Sequence, residues 1–383
     1  MKKVRKIYRN FDVVNQKKDL TNLYQFKNFP ISMGVTNKNI NKDQFFDMNW
    51  KISKSSGTIQ LNPLMPTGVV YPKNHQNSGS IGRLWLLHHK SFANFIKKFN
   101  PKEIFEIGGA HGILCKEYHK INKKIKWTIV EPNPTVSKKI KAKVIKGFFN
   151  SYTKINQQVD TFIHSHVFEH MYDPHKFMKI LNIKLKVGDK MIFSVPNLQV
   201  MLRKKFTNCI NFEHTIFLNE SLIKFFLDSY NFKILEKKLF KNDHSIFYSC
   251  IKVGKKIKKT KLKNNLFKKN KKLYLDYVHH HLKMIKIINK KIDKTGRPIF
   301  LFGAHVFAQY LINFGLKTKR IIYILDNDKK KQNKRFYGSK FVVKSPKILS
   351  KYNNPLVILK AGTFINEIKN DILKNINAKT QFI

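Results

Sequence analysis

The sequence predicts an α/β protein: a mostly parallel sheet with helices on both faces, an irregular N-terminal module before it and a second, smaller α/β domain after it. Three observations carry this reading. Between Lys102 and Val253, apolar runs of strand length alternate with stretches of helical spacing, the pattern of parallel strands joined by crossover helices. Within "FEIGGAHGILCKEYH" (Phe105–His119) small residues separate a strand-like run from a helix-like one, as a tight strand-to-helix turn requires. The same alternation recurs over a shorter length after residue 295. A chain of 383 residues can form two or three cores, and its hydrophobic (42%) and aromatic (13%) contents belong to a folded protein.

Taken in order, residues 1–80 have weak periodicity and frequent turn formers ("NFPISMG", "SKSSG", "LNPLMPTG") and read as the irregular module. "GRLWLLHHKSFANFIKKF" has helical spacing and leads into a central domain over residues 81–255. Strands are expected there at "EIFEIGG", "KWTIVEP", "AKVIKGFF", "VDTFIHSHV" and "DKMIFSVP". "FKILEKKLF" and "HSIFYSCIKV" should add an antiparallel hairpin at the sheet edge. Residues 256–295 read as a basic linker and connecting helix, with Leu273, Leu275, Val278, Leu282, Ile285 and Ile288 at near-helical spacing. The triplet His279–His281 cannot converge on one ion, because consecutive helical residues point about 100° apart; solvated surface histidines are expected. Residues 296–383 form the last α/β domain, from "RPIFLFGAH", "RIIYILDND" and "PLVILKAG". Its turn "FGAHVFAQYL" resembles the first turn of a Rossmann unit without the GxGxxG pattern.

The net charge is +52, which by itself would suit a nucleic-acid binder. The excess is nearly all Lys, Arg is scarce, and Arg is the preferred bidentate reader of phosphate and guanine. Without a nucleic-acid-binding signature, the charge reads as a compositional bias towards Lys, Asn, Ile and Phe; nucleic acid is the less favoured partner. The three cysteines (Cys115, Cys209, Cys250) form no CxxC pair and fit a reducing compartment with neither disulfides nor zinc. No apolar run reaches the ~18 residues of a membrane span, and "MKKVRKIYRNFDVV" lacks the apolar centre of a secretory signal. A cytoplasmic protein without membrane partners is expected.

The first glycine turn holds the richest chemistry. Gly108 and Gly112 occupy the outer places of a G-x-G-x-G pattern, with Ala110 in the middle, so backbone amides can approach a ligand closely. Glu106, near those amides, would repel a pyrophosphate but can order the turn and engage a cationic amino acid. The next strand ends at Glu131, where a carboxylate can accept both hydroxyls of a ribose. "VIKGFFN" (Val144–Asn150) and "VDTFIHSHVFEHMYDP" (Val159–Pro174) follow, then "VGDKMIFSVPN".

In this order "EIGGAHG", "VEPNP", "FIHSHVFEHMYDP" and "GDKMIFSVPN" resemble the successive motifs of class I S-adenosyl-L-methionine-dependent methyltransferases, with their Rossmann-like sheet. The resemblance implies cofactor contacts from Glu106, Gly108, Gly109, Ala110 and Gly112, ribose hydroxyls on Glu131, and adenine near Pro132, Phe148 and His166.

Further on, "NFEHTIFLNESLIKFFLDSYNFKIL" places Glu213 and His214 before a helix that Asn219 can cap. A sugar or enol carbon attacks a methyl group only after losing a proton, which His can accept and Glu can support. A substrate lid or a polar pair closing the sheet suits the same residues. The whole chain is similar to the three-part sugar C-methyltransferase family: a small zinc-binding module, the methyltransferase domain and a C-terminal Rossmann-like domain. That resemblance implies catalytic roles for Glu213 and His214, from the family's Tyr-x-Glu-His segment, and a nucleotide-linked sugar as the small-molecule acceptor. The serine-rich "NSGSIGRLWLLHH", "YILDNDKKKQNKRFYG" and "SPKIL" extend it along the chain.

Departures are visible. Asn211 stands in the tyrosine's place, and Ser53 and Ser56 stand where the zinc module has CxxC, so no metal is expected there. The family's late glycine-rich segment is replaced by "NDHSIFYSC". Glu169 and His170 also match a Glu-His pair that helps bind a divalent ion in ubiquinone-type O-methyltransferases. An O-methyltransferase, an RNA methyltransferase and a non-catalytic relative are therefore the alternatives.

Overall fold

The computed structural model describes residues 4–72 and 83–383. The expected boundary between residues 80 and 81, and the serine-rich stretch at 77–82, lie outside the described residues. The chain opens with β1 (Leu20–Pro30), β2 (Val35–Thr36), β3 (Phe45–Ser53), β4 (Ile59–Leu61) and α1 (Thr67–Val70). β1, β3 and β4 form an antiparallel sheet in that order, so this segment is more regular than its turn formers suggest. The signal is a period of two: Phe46, Met48, Trp50 and Ile52 are buried on one face of β3, whereas Phe45 is exposed. Ser53 and Ser56 close the following turn themselves. Ser53 Oγ donates to Asp19 Oδ1 (2.9 Å) and accepts from the Ser56 amide (3.1 Å), and Ser56 Oγ lies 2.6 Å from Thr58 Oγ1.

The central elements are α2 (Arg83–Lys97), β5 (Glu103–Ile107), α3 (Ile113–His119), β6 (Lys126–Glu131), β7 (Lys143–Lys146), β8 (Thr161–Ser165), α4 (Pro174–Lys184) and β9 (Lys190–Pro196). They continue with α5 (Leu198–Arg203), α6 (Glu220–Ser229), β10 (Phe232–Phe240), α7 (Lys241–His244) and β11 (Ser245–Lys252). The seven strands are ordered β10-β11-β9-β8-β5-β6-β7. β5 to β9 run parallel; β11 is antiparallel to β9, and β10 is antiparallel to β11 at the edge. This is a class I methyltransferase-type Rossmann-like sheet. Winding reverses between β5 and β8, and the crevice at their carboxyl ends is where such a sheet receives ligands. Local chemistry supports the helices: Asp173 Oδ1 accepts the Lys176 amide (2.9 Å) at the start of α4, and Asn219 Oδ1 accepts the Leu222 amide (3.1 Å) at the start of α6.

The remaining elements are α8 (Leu266–Lys294), β12 (Ile299–Phe302), α9 (Val306–Asn313), β13 (Ile321–Leu325), β14 (Arg335–Phe336), β15 (Val343–Lys344), β16 (Leu356–Leu359), α10 (Ile365–Asn375) and β17 (Gln381–Phe382). The second α/β sheet, β15-β13-β12-β16-β17, is parallel throughout, while β14 pairs with β2. The histidine triplet on α8 departs from expectation. His279 and His280 are exposed, but His281 is buried, hydrogen-bonded through Nδ1 to the Tyr277 carbonyl (2.9 Å) and stacked on Phe314. It belongs to the helix's apolar stripe with Tyr274, Tyr277, Val278, Ile285 and Ile288.

One continuous core joins Trp50 and Met48 of the N-terminal sheet, Ile210 of the central region, Tyr277 of α8 and Leu301 of β12. Two further clusters line the two faces of the seven-stranded sheet. Among the described residues, no helix is long and apolar enough to cross a membrane.

Candidate functional site

The turn after β5 needs unusual backbone angles. φ is 77° at Gly108, 40° at Ala110 and 67° at Gly112, in the left-handed region that side chains other than glycine rarely adopt. A Cβ at Gly109 would come within 2.6 Å of Ile129 Cγ2. The chain therefore lies close against β6 as it enters α3.

Glu131, at the tip of β6, reaches across to this turn. Its Oε2 accepts the Ala110 amide (3.2 Å) and its Oε1 the Asn133 amide (3.0 Å). Each oxygen keeps lone-pair capacity for a further donor. Pro132 follows directly and is half-buried, and the Gly147 amide donates to the Glu131 carbonyl (3.0 Å). That bond brings the end of β7 alongside, with the Phe148 ring 52% exposed. Glu106 lies beneath the turn, not on it: it is buried, and its Oε2 accepts Trp127 Nε1–H at 2.8 Å. Burial, followed by the nearby Glu131, raises its pKa to about 7 against the pull of Trp127.

His166, just beyond β8, has φ 53°. Its Nε2 lies 2.9 Å from Ser245 Oγ and its Nδ1 3.5 Å from Glu169 Oε1, and burial drives its pKa down to about 3. Glu169 is fully buried, and neither carboxylate oxygen has a hydrogen-bond partner among the described residues. Burial raises its pKa, opposed by His170 and His214.

The Glu213–His214 segment packs against this group. Asn211 Oδ1 accepts both the Glu213 and His214 amides at 2.8 Å, an Asx-type turn that fixes the pair. His214 Nδ1 lies 2.8 Å from the Cys209 carbonyl; a carbonyl only accepts, so Nδ1 carries the proton and Nε2 is left as the acceptor. The His214 ring stands 5.2 Å from that of His170, and ligand atoms of Glu169, His170 and His214 lie within 4.8 Å of one another. Burial lowers the His214 pKa, with Glu169 opposing. Burial and then Glu169 raise Glu213 to about 7.

The structure adds residues that sequence reasoning missed. Tyr71 Oη is 2.9 Å from His170 Nδ1. Burial raises the Tyr71 pKa, and Glu213, Glu169 and Glu131 add to the effect. Arg9 is buried and donates to the carbonyls of Leu61 (2.9 Å), Thr215 (2.7 Å) and Tyr172 (3.0 Å). On the same loop, the Leu61 amide donates to Thr215 and the Phe217 amide to Ile59. From the C-terminal side, Tyr310 Oη donates to the Ile210 carbonyl (2.7 Å). Nothing local in the sequence singles out Tyr71 or Arg9.

Residues 85–237 match the family model of a methyltransferase domain, and residues 267–383 that of a C-methyltransferase C-terminal domain. No curated protein matches the sequence. Among solved structures, the chain is similar to human N-acetylserotonin methyltransferase in complex with SAM, at 15% identity and a TM-score of 0.37, over 44% of this chain and 53% of that one. It thus spans about half the length of that enzyme. It is similar to the mitomycin 7-O-methyltransferase MmcR (12%, TM-score 0.37, 45% and 55%). N-methyltransferase NodS from Bradyrhizobium japonicum is similar at 12% identity and a TM-score of 0.34, over 45% of this chain and 99% of its own.

Proposed function

We propose, from the premise that this chain is an S-adenosylmethionine-dependent methyltransferase, that it methylates a small molecule of the nucleotide-linked sugar class, with Glu213 and His214 handling the acceptor's proton. The C-methyltransferase C-terminal match supports attack by carbon. The observation that carries the reading is the His214 tautomer: Nδ1–H held by the Cys209 carbonyl and Nε2 left basic beside His170.

The residues present suit the cofactor. The small residues of the Gly108–Gly112 turn let a ligand approach the backbone closely, Glu131 offers lone pairs to a ribose diol, and the exposed Phe148 ring offers a face to a base. When bound, S-adenosylmethionine supplies a methyl group on a positively charged sulfur, open to in-line attack. His214 Nε2 takes the proton that activates the acceptor, and Glu213, with its pKa near 7, passes it on or returns it near neutral pH. Tyr71 and Asn211 fix His170 and the Glu213–His214 turn.

The test is mass spectrometry of nucleotide sugars incubated with the protein and isotopically labelled cofactor, together with His214→Ala. The variant should bind cofactor normally by calorimetry while turnover falls about 10²- to 10⁴-fold. Equal loss of binding and turnover would make His214 structural.

A second reading is supported by the Glu169–His170–His214 grouping: a divalent ion there would orient an acceptor hydroxyl for O-methylation. Loss of methyl transfer on chelation, restored by magnesium or zinc, would favour it.

A further inference from the structure

A second cluster lies over the carboxyl end of β9 and the start of β11, and none of the roles above uses it as a unit. His88 comes from α2, His166 from the loop after β8 and His244 from the end of α7. One ring nitrogen from each lies within 4.8 Å of the others. His88 is 0% exposed; its Nε2 is 2.9 Å from Ser194 Oγ, and its Nδ1 has no hydrogen-bond partner among the described residues. Both ring nitrogens of the adjacent His89 also lack hydrogen-bond partners among the described residues. His244 Nδ1 and His166 Nε2 share Ser245 Oγ, at 2.6 and 2.9 Å. Trp85 covers the group, its ring 4.9 to 5.3 Å from those of His88, His166 and His244. Phe240 and Phe247 flank His88 at 5.2 Å.

We propose that His88, His166 and His244 bind a single borderline divalent ion of the zinc type. The donor set selects that class: three imidazoles and no convergent thiolates suit zinc, copper or nickel, not magnesium or calcium. The ion answers a cost that the metal-free cluster bears, since a buried ring nitrogen without a partner is a lasting desolvation penalty. Ser194 and Ser245 play the outer-shell part, accepting from ring N–H groups and orienting the rings, and Trp85 with the phenylalanines supplies the apolar jacket. Tetrahedral zinc with bonds of about 2.1 Å separates its nitrogens by about 3.4 Å, so the rings need close by no more than about 1.4 Å on binding. With three protein ligands, one coordination position stays open. The ion would tie α2 to the sheet and fix His166 next to Glu169.

The test uses the metal-free, full-length protein titrated with cobalt(II), whose visible bands report tetrahedral nitrogen coordination, followed by displacement with zinc(II). X-ray absorption of the zinc-loaded protein then counts imidazoles. The first equivalent should bind with three imidazole ligands, be lost in His244→Gln, weaken about tenfold in Ser194→Ala, and persist in His214→Gln and in the double variant His279→Ala/His280→Ala. The proposal is overturned by absent binding, by binding that His244→Gln leaves unchanged, or by a spectrum with a carboxylate and two imidazoles, which would assign the ion to Glu169, His170 and His214. The spectrum of the unmodified protein decides even if a histidine variant fails to fold, and none of these readouts depends on methyl transfer.

Discussion

Trp127 Nε1 donates a hydrogen bond to Glu106 Oε2 across the neighbouring strands β6 and β5, at 2.8 Å and shielded from solvent. This bond holds the acidic residue of the strand under the glycine turn, against the space that Gly109 leaves by having no side chain. The carboxyl then supports the turn from below while Glu131 engages it from the side.

The Glu106 pKa, raised from 4.5 to about 7 mainly by burial, makes stability depend on pH. The folded state binds this proton more tightly than the unfolded chain. Its contribution is therefore fully present below about pH 4.5 and is lost as pH rises through about 7, amounting to at most about 3 kcal/mol. Glu106→Gln should flatten the corresponding slope in thermal unfolding; parallel curves for the two proteins would refute this.

Glu131→Ala removes the acceptor at the tip of β6 and leaves the Ala110 and Asn133 amides without it. Affinity for S-adenosylmethionine and its demethylated product should fall about 10- to 100-fold by calorimetry, the scale of lost hydrogen bonds to a charged group. Unchanged affinity would remove the ribose role.

Arg9 ties the Thr215 carbonyl to those of Leu61 and Tyr172, joining three segments. Arg9→Met should cost about 3 kcal/mol in chemical denaturation, because buried acceptors lose their donors. Arg9→Lys should recover little, since one ammonium cannot reproduce the planar fork. Full recovery with Lys would show that charge alone matters.

Asn211 offers a finer test of the loop. Asn211→Ala loses both amide bonds to the turn and should lower turnover about tenfold with cofactor affinity unchanged, while Asn211→Asp keeps the acceptor and most of the activity. Equal activity in all three proteins would separate loop geometry from chemistry.

What the sequence revealed was what local pattern encodes. The turn at Gly108–Gly112, the carboxylate closing β6, the hairpin of β10 and β11 and the Asn219 cap all follow from neighbours within a few residues. Arg9 and Tyr71 were not legible, because their partners Thr215 and His170 lie far along the chain. The N-terminal sheet was obscured by register shifts in β1 that interrupt its alternation. His281 was misread because three adjacent histidines look polar, whereas the stripe on α8 admits only the third to the core.

The core shared by β3, α8 and β12 has a consequence for biosynthesis. Trp50 leaves the ribosome roughly 220 residues before the Tyr274 ring it meets, a delay on the order of tens of seconds at ordinary elongation rates. Until then, the apolar side of the early sheet has only the part of its native cover that Phe212 and Phe217 bring, and its remaining apolar surface stays open to non-native contacts.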